Sequence, residues 1–133
     1  MDKHLDVLNT YYRLVEAFNS DPTAYREVLH PEVEQIEYPN LIHKTIQHRS
    51  FDDILDNLRA GRELLRDPEF IVHSTHVVAD GTIIVEGRWQ GTVTTDIHGW
   101  VRGQIMSSEL CLVFEFKDGK IFRQRRYPCY NQV

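Results

Sequence analysis

Cysteine, positive charge and long apolar runs are all scarce in this chain, and each scarcity narrows what it can be. Two cysteines, Cys111 and Cys129, make no disulfide framework of the kind that staples small secreted domains. Folding the C-terminal segment about Asp118-Gly119 sets Cys111 near Arg125 rather than Cys129, so both are expected as free thiols. No stretch approaches the ~18 consecutive apolar residues of a membrane-crossing helix. The opening MDKHLDVLNT lacks the basic and then apolar segments of a secretory signal, and a cytoplasmic protein with no membrane association is expected. The net charge of −5 disfavours nucleic acid and acidic membrane surfaces as partners. Arg123, Gln124, Arg125 and Arg126 form a local basic run, but it alternates between the faces of a strand. A glycine-rich phosphate loop and a Gly-x-Ser-x-Gly nucleophile elbow are missing, so no cofactor is implied and nucleophilic catalysis has little support.

What is present reads as a single domain over residues 1–133, long enough for one core at 41% hydrophobic and 26% charged content. Leu5, Leu8, Tyr11, Tyr12, Val15 and Phe18 recur at helical spacing. Asp21-Pro22 caps a second, short helix burying Tyr25, Val28 and Leu29, which His30-Pro31 stops. A short strand carries Ile36 and Tyr38, and Leu41 to Arg49 reads as a polar loop. Ser50 then caps a third helix running to about Arg66, with Asp67-Pro68 as its end. Strands follow at Phe70 to Val78, Ile83 to Thr95, Ile105 to Phe116 and Ile121 to Tyr130, turning at Asp80-Gly81 and Asp118-Gly119 and more loosely between Asp96 and Gly103. Helices first and strands afterwards predict an α+β fold with an antiparallel meander, the sheet curved around the helices.

That element order resembles the nuclear transport factor 2-like superfamily, which includes SnoaL-like polyketide cyclases, ketosteroid isomerase and scytalone dehydratase. Local wording supports the likeness: Val-Ala-Asp-Gly-Thr at 78–82, Val85-Glu86-Gly87-Arg88-Trp89-Gln90-Gly91-Thr92, and Phe114 to Ile121 leading to Arg125-Arg126-Tyr127-Pro128-Cys129-Tyr130. The ending is similar to the Arg-Asn-Tyr-Asp-Cys-Phe finish of uncharacterised bacterial SnoaL-like proteins, with Arg126 and Pro128 in the Asn and Asp places. The resemblance implies a cone-shaped, curved antiparallel sheet wrapped around three N-terminal helices, a pocket inside it, and dimerisation through the outer face. It does not carry over the isomerase chemistry, whose three functional places fall on Leu14, Tyr38 and Leu112. The acid/base His of a SnoaL-type cyclase falls on Gln124.

The choice of inward-facing residues follows from strand register. With three-residue turns at both Asp-Gly pairs, the register that the resemblance favours over two-residue turns, even positions of all four long strands share the concave face, whereas a one-residue slip inverts half of that set. Candidate catalytic residues are then Glu86 and His76 as proton carriers and Arg126 as oxyanion or carboxylate partner; the alternative is a purely structural Glu-Arg pair. Candidate ligand contacts are Tyr38, Ser74, Arg88, Gln90 and Ser108, with Leu110, Leu112, Phe114 and Gln124. A metal site is not expected, since His73 and His76, three residues apart on a strand, point to opposite faces. The odd positions Val85, Trp89, Val113 and Tyr127, with Arg123 and Arg125 at their rim, are too apolar for a solvated face and predict a homodimer interface. Together these readings point to a protein that binds a small, mostly apolar ligand with a carbonyl or acid group. The alternatives are a cofactor-free isomerase, lyase or cyclase, and a non-catalytic interaction module whose cavity is filled by its own side chains.

Overall fold

The structure, a computed structural model, describes residues 2–131. Helix α1 (Asp2–Glu16) buries Leu8 and Tyr11 on one face. It closes with Phe18 in the left-handed region (φ 48°): Asn19 N donates to Leu14 O and Phe18 N to Val15 O, both at 3.0 Å. Asp21 caps α2 (Pro22–Tyr25) by accepting from Thr23 N at 3.0 Å. α2 is shorter than expected, because the chain is already extended at Leu29, and Leu29-His30-Pro31 opens strand β1 (Leu29–Glu37). The expected polar loop contains a second short strand, β2 (Gln47–Arg49), paired antiparallel with β1. Ser50 and Asp53 form a reciprocal capping box on α3 (Phe51–Leu64), which buries Ile54, Leu55 and Leu58.

Strands β3 (Leu65–Val77), β4 (Ile83–Val93), β5 (Ile105–Lys117) and β6 (Lys120–Tyr130) complete a six-stranded sheet ordered β2-β1-β6-β5-β4-β3. Every neighbouring pair is antiparallel except β1 and β6, which run parallel. The sheet carries the core on its concave face, against α1 and α3: Ile83, Val85, Phe114 and Ile121 are wholly buried there. This is the α+β fold that the element order predicts, in the cone shape that the resemblance implies.

Register departs from the expectation, at β4. The β3–β4 turn does place Gly81 at φ 90°, and next to it, from Ser74 to Val77, β3 pairs with β4 at matching parity, as in Val77 with Ile83. The β4–β5 connection, however, joins odd to even positions, Val85 opposite Leu112 and Trp89 opposite Ser108. A one-residue offset reverses every side chain of a strand. Ile83, Val85, Gly87, Trp89 and Val93 therefore face the core, and Glu86, Arg88 and Gln90 face out. Asp118 (φ 55°) and Gly119 (φ 75°) form a two-residue turn instead of the three-residue one expected. An irregularity next to Glu115 and Phe116, taken up around Phe122, then restores even-with-even pairing, so Gln124 and Arg126 stay inside.

A second irregularity, between Val72 and Ser74, shifts the outer half of β3. It brings His73 and His76 to the same convex face, contrary to simple alternation; among the described residues no group of three or more His, Cys, Asp or Glu could hold a metal ion. Cys111 lies opposite Tyr127, not Arg125, and both cysteines are free.

Candidate functional site

Between the sheet and the helices lies a partly open cavity of about 340 Å³. α1 supplies Tyr11, Tyr12 and Val15 from above, Phe18 follows just past its end, and α3 supplies Asn57, Leu58 and Gly61. The wall is formed by Phe70, Trp89, Leu110 and Leu112, and the loops on either side add Ile42, His43, Ile97 and His98. Trp89 packs edge to face on Phe18, and Phe70 lies across Gly87 so closely that a Cβ there would sit 2.8 Å from its ring. The glycine is what lets an aromatic ring lie flat on this part of the sheet.

One side of this apolar chamber is polar. Glu37 ends β1 and faces inward; Arg49 ends β2 beside it, and its Nη1 donates to Glu37 Oε1 and to Gln35 Oε1, each at 2.9 Å. Both members of the pair are more than nine-tenths buried. Gln35 Nε2 donates to Gln124 Oε1, and Gln124 Nε2 donates to the Tyr11 hydroxyl at 3.2 Å, so the network continues to the roof. Asn40 donates to Glu37 Oε2 at 2.9 Å and fixes the loop that holds His43. Burial alone would raise the pKa of Glu37, but the charges of Arg126 and Arg49 and the hydrogen bonds from Arg49 and Asn40 outweigh it and hold the carboxyl below its ordinary range. Glu37 is an anion, already committed.

Arg126 is different. It lies on β6 opposite Leu112 and beside Glu37 of β1, and it lines the cavity. Among the described residues it joins no ion pair, and its Nε is buried without an acceptor. One carboxylate against two guanidiniums leaves one positive charge in surplus here. Tyr130, also lining the cavity, has its phenol pushed up mainly by burial, which Arg126 opposes, so it stays neutral.

The remaining candidates from the sequence separate by face. Gln124, Leu110, Leu112 and Arg126 line the cavity. Ser108 and Phe114 point inward but are packed into the core instead. Glu86, His76, Ser74, Arg88 and Gln90 are on the convex face, because the β4–β5 offset and the β3 irregularity turn them there. Arg88 binds Glu109 at 2.8 Å, and Gln90 donates to Glu69 at 2.6 Å. Glu86 and His76 are exposed to solvent and cannot reach a ligand inside the cone. Tyr38 does not enter the cavity either, and stacks on Tyr127 with ring centroids 4.7 Å apart. Of the expected outer surface, Val85 and Trp89 are inside; Val113, Arg123, Arg125 and Tyr127 are outside.

Glu37, Arg49, Tyr12, His43 and His98 were not among the sequence candidates. Glu37 was within reach, since Val33, Gln35 and Glu37 share a parity whose first member is apolar. Nothing local marks Arg49, which is brought to Glu37 only by the short β2 pairing.

Solved structures share the architecture at low identity, which speaks to fold alone. IdmH, a candidate polyketide cyclase from Streptomyces antibioticus, superposes with a TM-score of 0.77 at 15% identity, covering 94% of this chain and 91% of its own. A nuclear transport factor 2-like protein from Burkholderia thailandensis gives 0.70 at 22% identity over 94% and 89% of the two chains. A protein with the ketosteroid isomerase-like fold from Catenulispora acidiphila gives 0.69 at 7% identity over 91% and 83%. No curated protein matches the sequence. The family model of the SnoaL-like domain matches residues 9–124, a span that takes in the cavity-lining part of α1, all of α3 and the sheet as far as Gln124, and the chain belongs to that family.

Proposed function

We propose that the protein binds a small, mostly apolar molecule inside the cone and that Arg126 receives its acid or carbonyl group. The observation that carries this reading is a cation lining an apolar cavity, in no ion pair among the described residues and with a buried Nε that none of them satisfies. A guanidinium so placed favours a negatively charged or strongly accepting oxygen, and the surrounding aromatic rings favour a flat body. The test is calorimetric titration with 2-naphthoate and with its methyl ester. The acid is expected to bind wild type more tightly than the ester, and Arg126→Met is expected to abolish that preference; equal binding of acid and ester by wild type would refute it.

A second reading, a cofactor-free isomerase, lyase or cyclase, draws on the two imidazoles that line the cavity, His43 and His98. IdmH and a SnoaL-like protein from Jannaschia are both candidate polyketide cyclases. Proton transfer in the cavity would fall to these histidines, in place of Glu86 and His76. Loss of turnover of a candidate substrate in His43→Ala or His98→Ala, with binding kept, would support it. A cone packed solid, as the interaction-module reading expects, does not match the open volume found.

The convex face completes the proposal. Ile71 and Tyr127 are exposed there beside Val113, with Glu109, Glu115, Arg88 and Arg125 interspersed. Acidic and basic groups mixed on one apolar face are self-complementary about a two-fold axis, and a second copy is the occupant we assign. Light scattering should report a dimer that Val113→Arg dissociates.

A further inference from the structure

Eight large hydrophobic side chains are exposed among the described residues, and four of them, Leu41, Ile46, Val101 and Ile105, belong to one end of the sheet. The C-terminal ends of β1, β4 and β6 meet there, because β1 and β6 run parallel and β5 stands antiparallel between β6 and β4. Two connections fill that end, residues 38–46 between β1 and β2 and residues 94–104 between β4 and β5. Ile42 of the first and Ile97 of the second pack on one small cluster of Val93, Trp100 and Met106, and both line the cavity beside His43 and His98. Neither connection is loose. Asn40 Oδ1 accepts from Ile42 N and His43 N at 3.0 and 3.1 Å, and Ile97 and Trp100 exchange backbone hydrogen bonds of 2.9 and 2.8 Å next to the buried Trp100 ring.

Firmly held loops that keep aliphatic side chains in water carry a standing cost, and patches of this kind mark contact surfaces. Composition says which contact. The cores of protein interfaces favour Tyr, Trp, Phe, Met and Arg. The four rim residues are all aliphatic, and Val101 and Ile105, at 55% and 56%, are the most exposed large hydrophobics among the described residues. One of the chain's 20 acidic residues, Asp96, falls within residues 39–46 or 94–105, against the two basic residues Lys44 and Arg102. Lys44 and Arg102 are exposed, whereas Asp96 is turned to its own loop, where Oδ1 accepts from Arg102 N at 2.9 Å. Aliphatic tips interspersed with basic groups match the acyl and phosphate layers of a phospholipid surface. No helix among the described residues is long and apolar enough to cross a membrane, so the contact is confined to this rim.

We infer that this end of the cone docks on a phospholipid bilayer, with Leu41, Ile46, Val101 and Ile105 entering the acyl boundary while Lys44 and Arg102 lie against the phosphates. This departs from the expectation of no membrane association, which weighed the charge of the whole chain and not its distribution. It goes beyond the proposed function and holds whether or not an acid binds at Arg126. Because the same two connections border the cavity, docking sets the chamber beside the apolar layer.

Flotation with vesicles of palmitoyl-oleoyl phosphatidylcholine is the test. Wild type should float with the vesicles, and Val101→Asp and Ile46→Asp should each lower the partition coefficient roughly tenfold, since each puts a charge where half an aliphatic side chain would be buried. Val78→Asp is the matched control: Val78 is also exposed but follows β3 at the opposite end of the sheet, and this variant should float as wild type does. All three positions are exposed, so the variants should fold, which circular dichroism checks. Wild type that stays with the unbound protein, or a loss in Val78→Asp equal to that in Val101→Asp, overturns the inference. If wild type ignores the vesicles while Val101→Asp breaks a self-association seen by light scattering, the rim is a protein contact and the inference is likewise overturned. In every one of these outcomes the acid preference at Arg126, read by calorimetry, stands or falls separately.

Discussion

The two arginines at the polar end of the cavity should respond to the same substitution to very different degrees. Arg49 is 7% exposed and holds Glu37, itself 4% exposed, through a 2.9 Å contact that also engages Gln35. Replacing it by methionine keeps most of the volume but strands a buried carboxylate, a change that costs about 3–5 kcal/mol in buried pairs. Arg126 remains near Glu37 as a second cation, which places the expected loss at the lower end, about 3 kcal/mol. With a urea slope of ~2 kcal/mol/M, the denaturation midpoint should fall by roughly 1.5 M. Among the described residues Arg126 has no ion pair to break, and its Nε is already unsatisfied. Arg126→Met gives up an attraction to Glu37 at least as large as the charge of Arg49 exerts, but it breaks no hydrogen bond to that carboxylate and recovers the desolvation of a half-buried cation, so its cost should be clearly smaller than that at Arg49. Urea unfolding followed by tryptophan fluorescence reads both. A small effect at Arg49, or a loss at Arg126 as large as that at Arg49, would refute the assignment of one arginine to structure and the other to ligand.

Other consequences are equally direct. Glu37 has a folded pKa below its unfolded one, so its contribution is full above the ordinary carboxylate range and is lost as pH falls through the folded value; the stability gap between wild type and Glu37→Gln, measured by urea unfolding, should shrink below about pH 4.3. Gly87→Ala would place a Cβ 2.6 Å from Ile71 O and 2.8 Å from the Phe70 ring, and should lower stability by about 1–3 kcal/mol while disturbing 2-naphthoate binding through Phe70. Tyr25→Phe removes a buried hydroxyl that has no partner among the described residues and lies off the cavity, so thermal unfolding should show a stability gain of about 1 kcal/mol with ligand affinity unchanged.

Much of the architecture was legible because it is written locally. Asp21-Pro22, Ser50 with Asp53, and the two Asp-Gly turns announce their elements by chemistry that acts within a few residues. The site was less legible because its geometry depends on offsets between strands. The connection from Thr94 to Gln104 contains a small hairpin of its own, Ile97 to Trp100, with His98 (φ 50°) and Gly99 (φ 93°) at the tip and buried Trp100 as its anchor. Nothing in a loose loop with two glycines states whether it advances the register by an odd or an even number. The side chains themselves held the answer: Ile83, Val85, Trp89 and Val93 are the apolar parity of β4, and core burial explains that pattern before any partner is needed. Reading them as a dimer surface placed Glu86 and Arg88 in a cavity that never receives them. The Glu37–Arg49 pair was out of reach for another reason, since β2 is three residues long and sits in a stretch that reads as polar loop.

The central claim is that the cone holds a ligand whose acidic oxygen meets Arg126, and a co-crystal with 2-naphthoate tests it most directly. The account predicts density for the ring system between Phe70, Trp89 and Leu112, with the carboxylate within hydrogen-bonding distance of the Arg126 guanidinium. Naphthoate found only on the convex face, against Arg88 or Arg125, would contradict it.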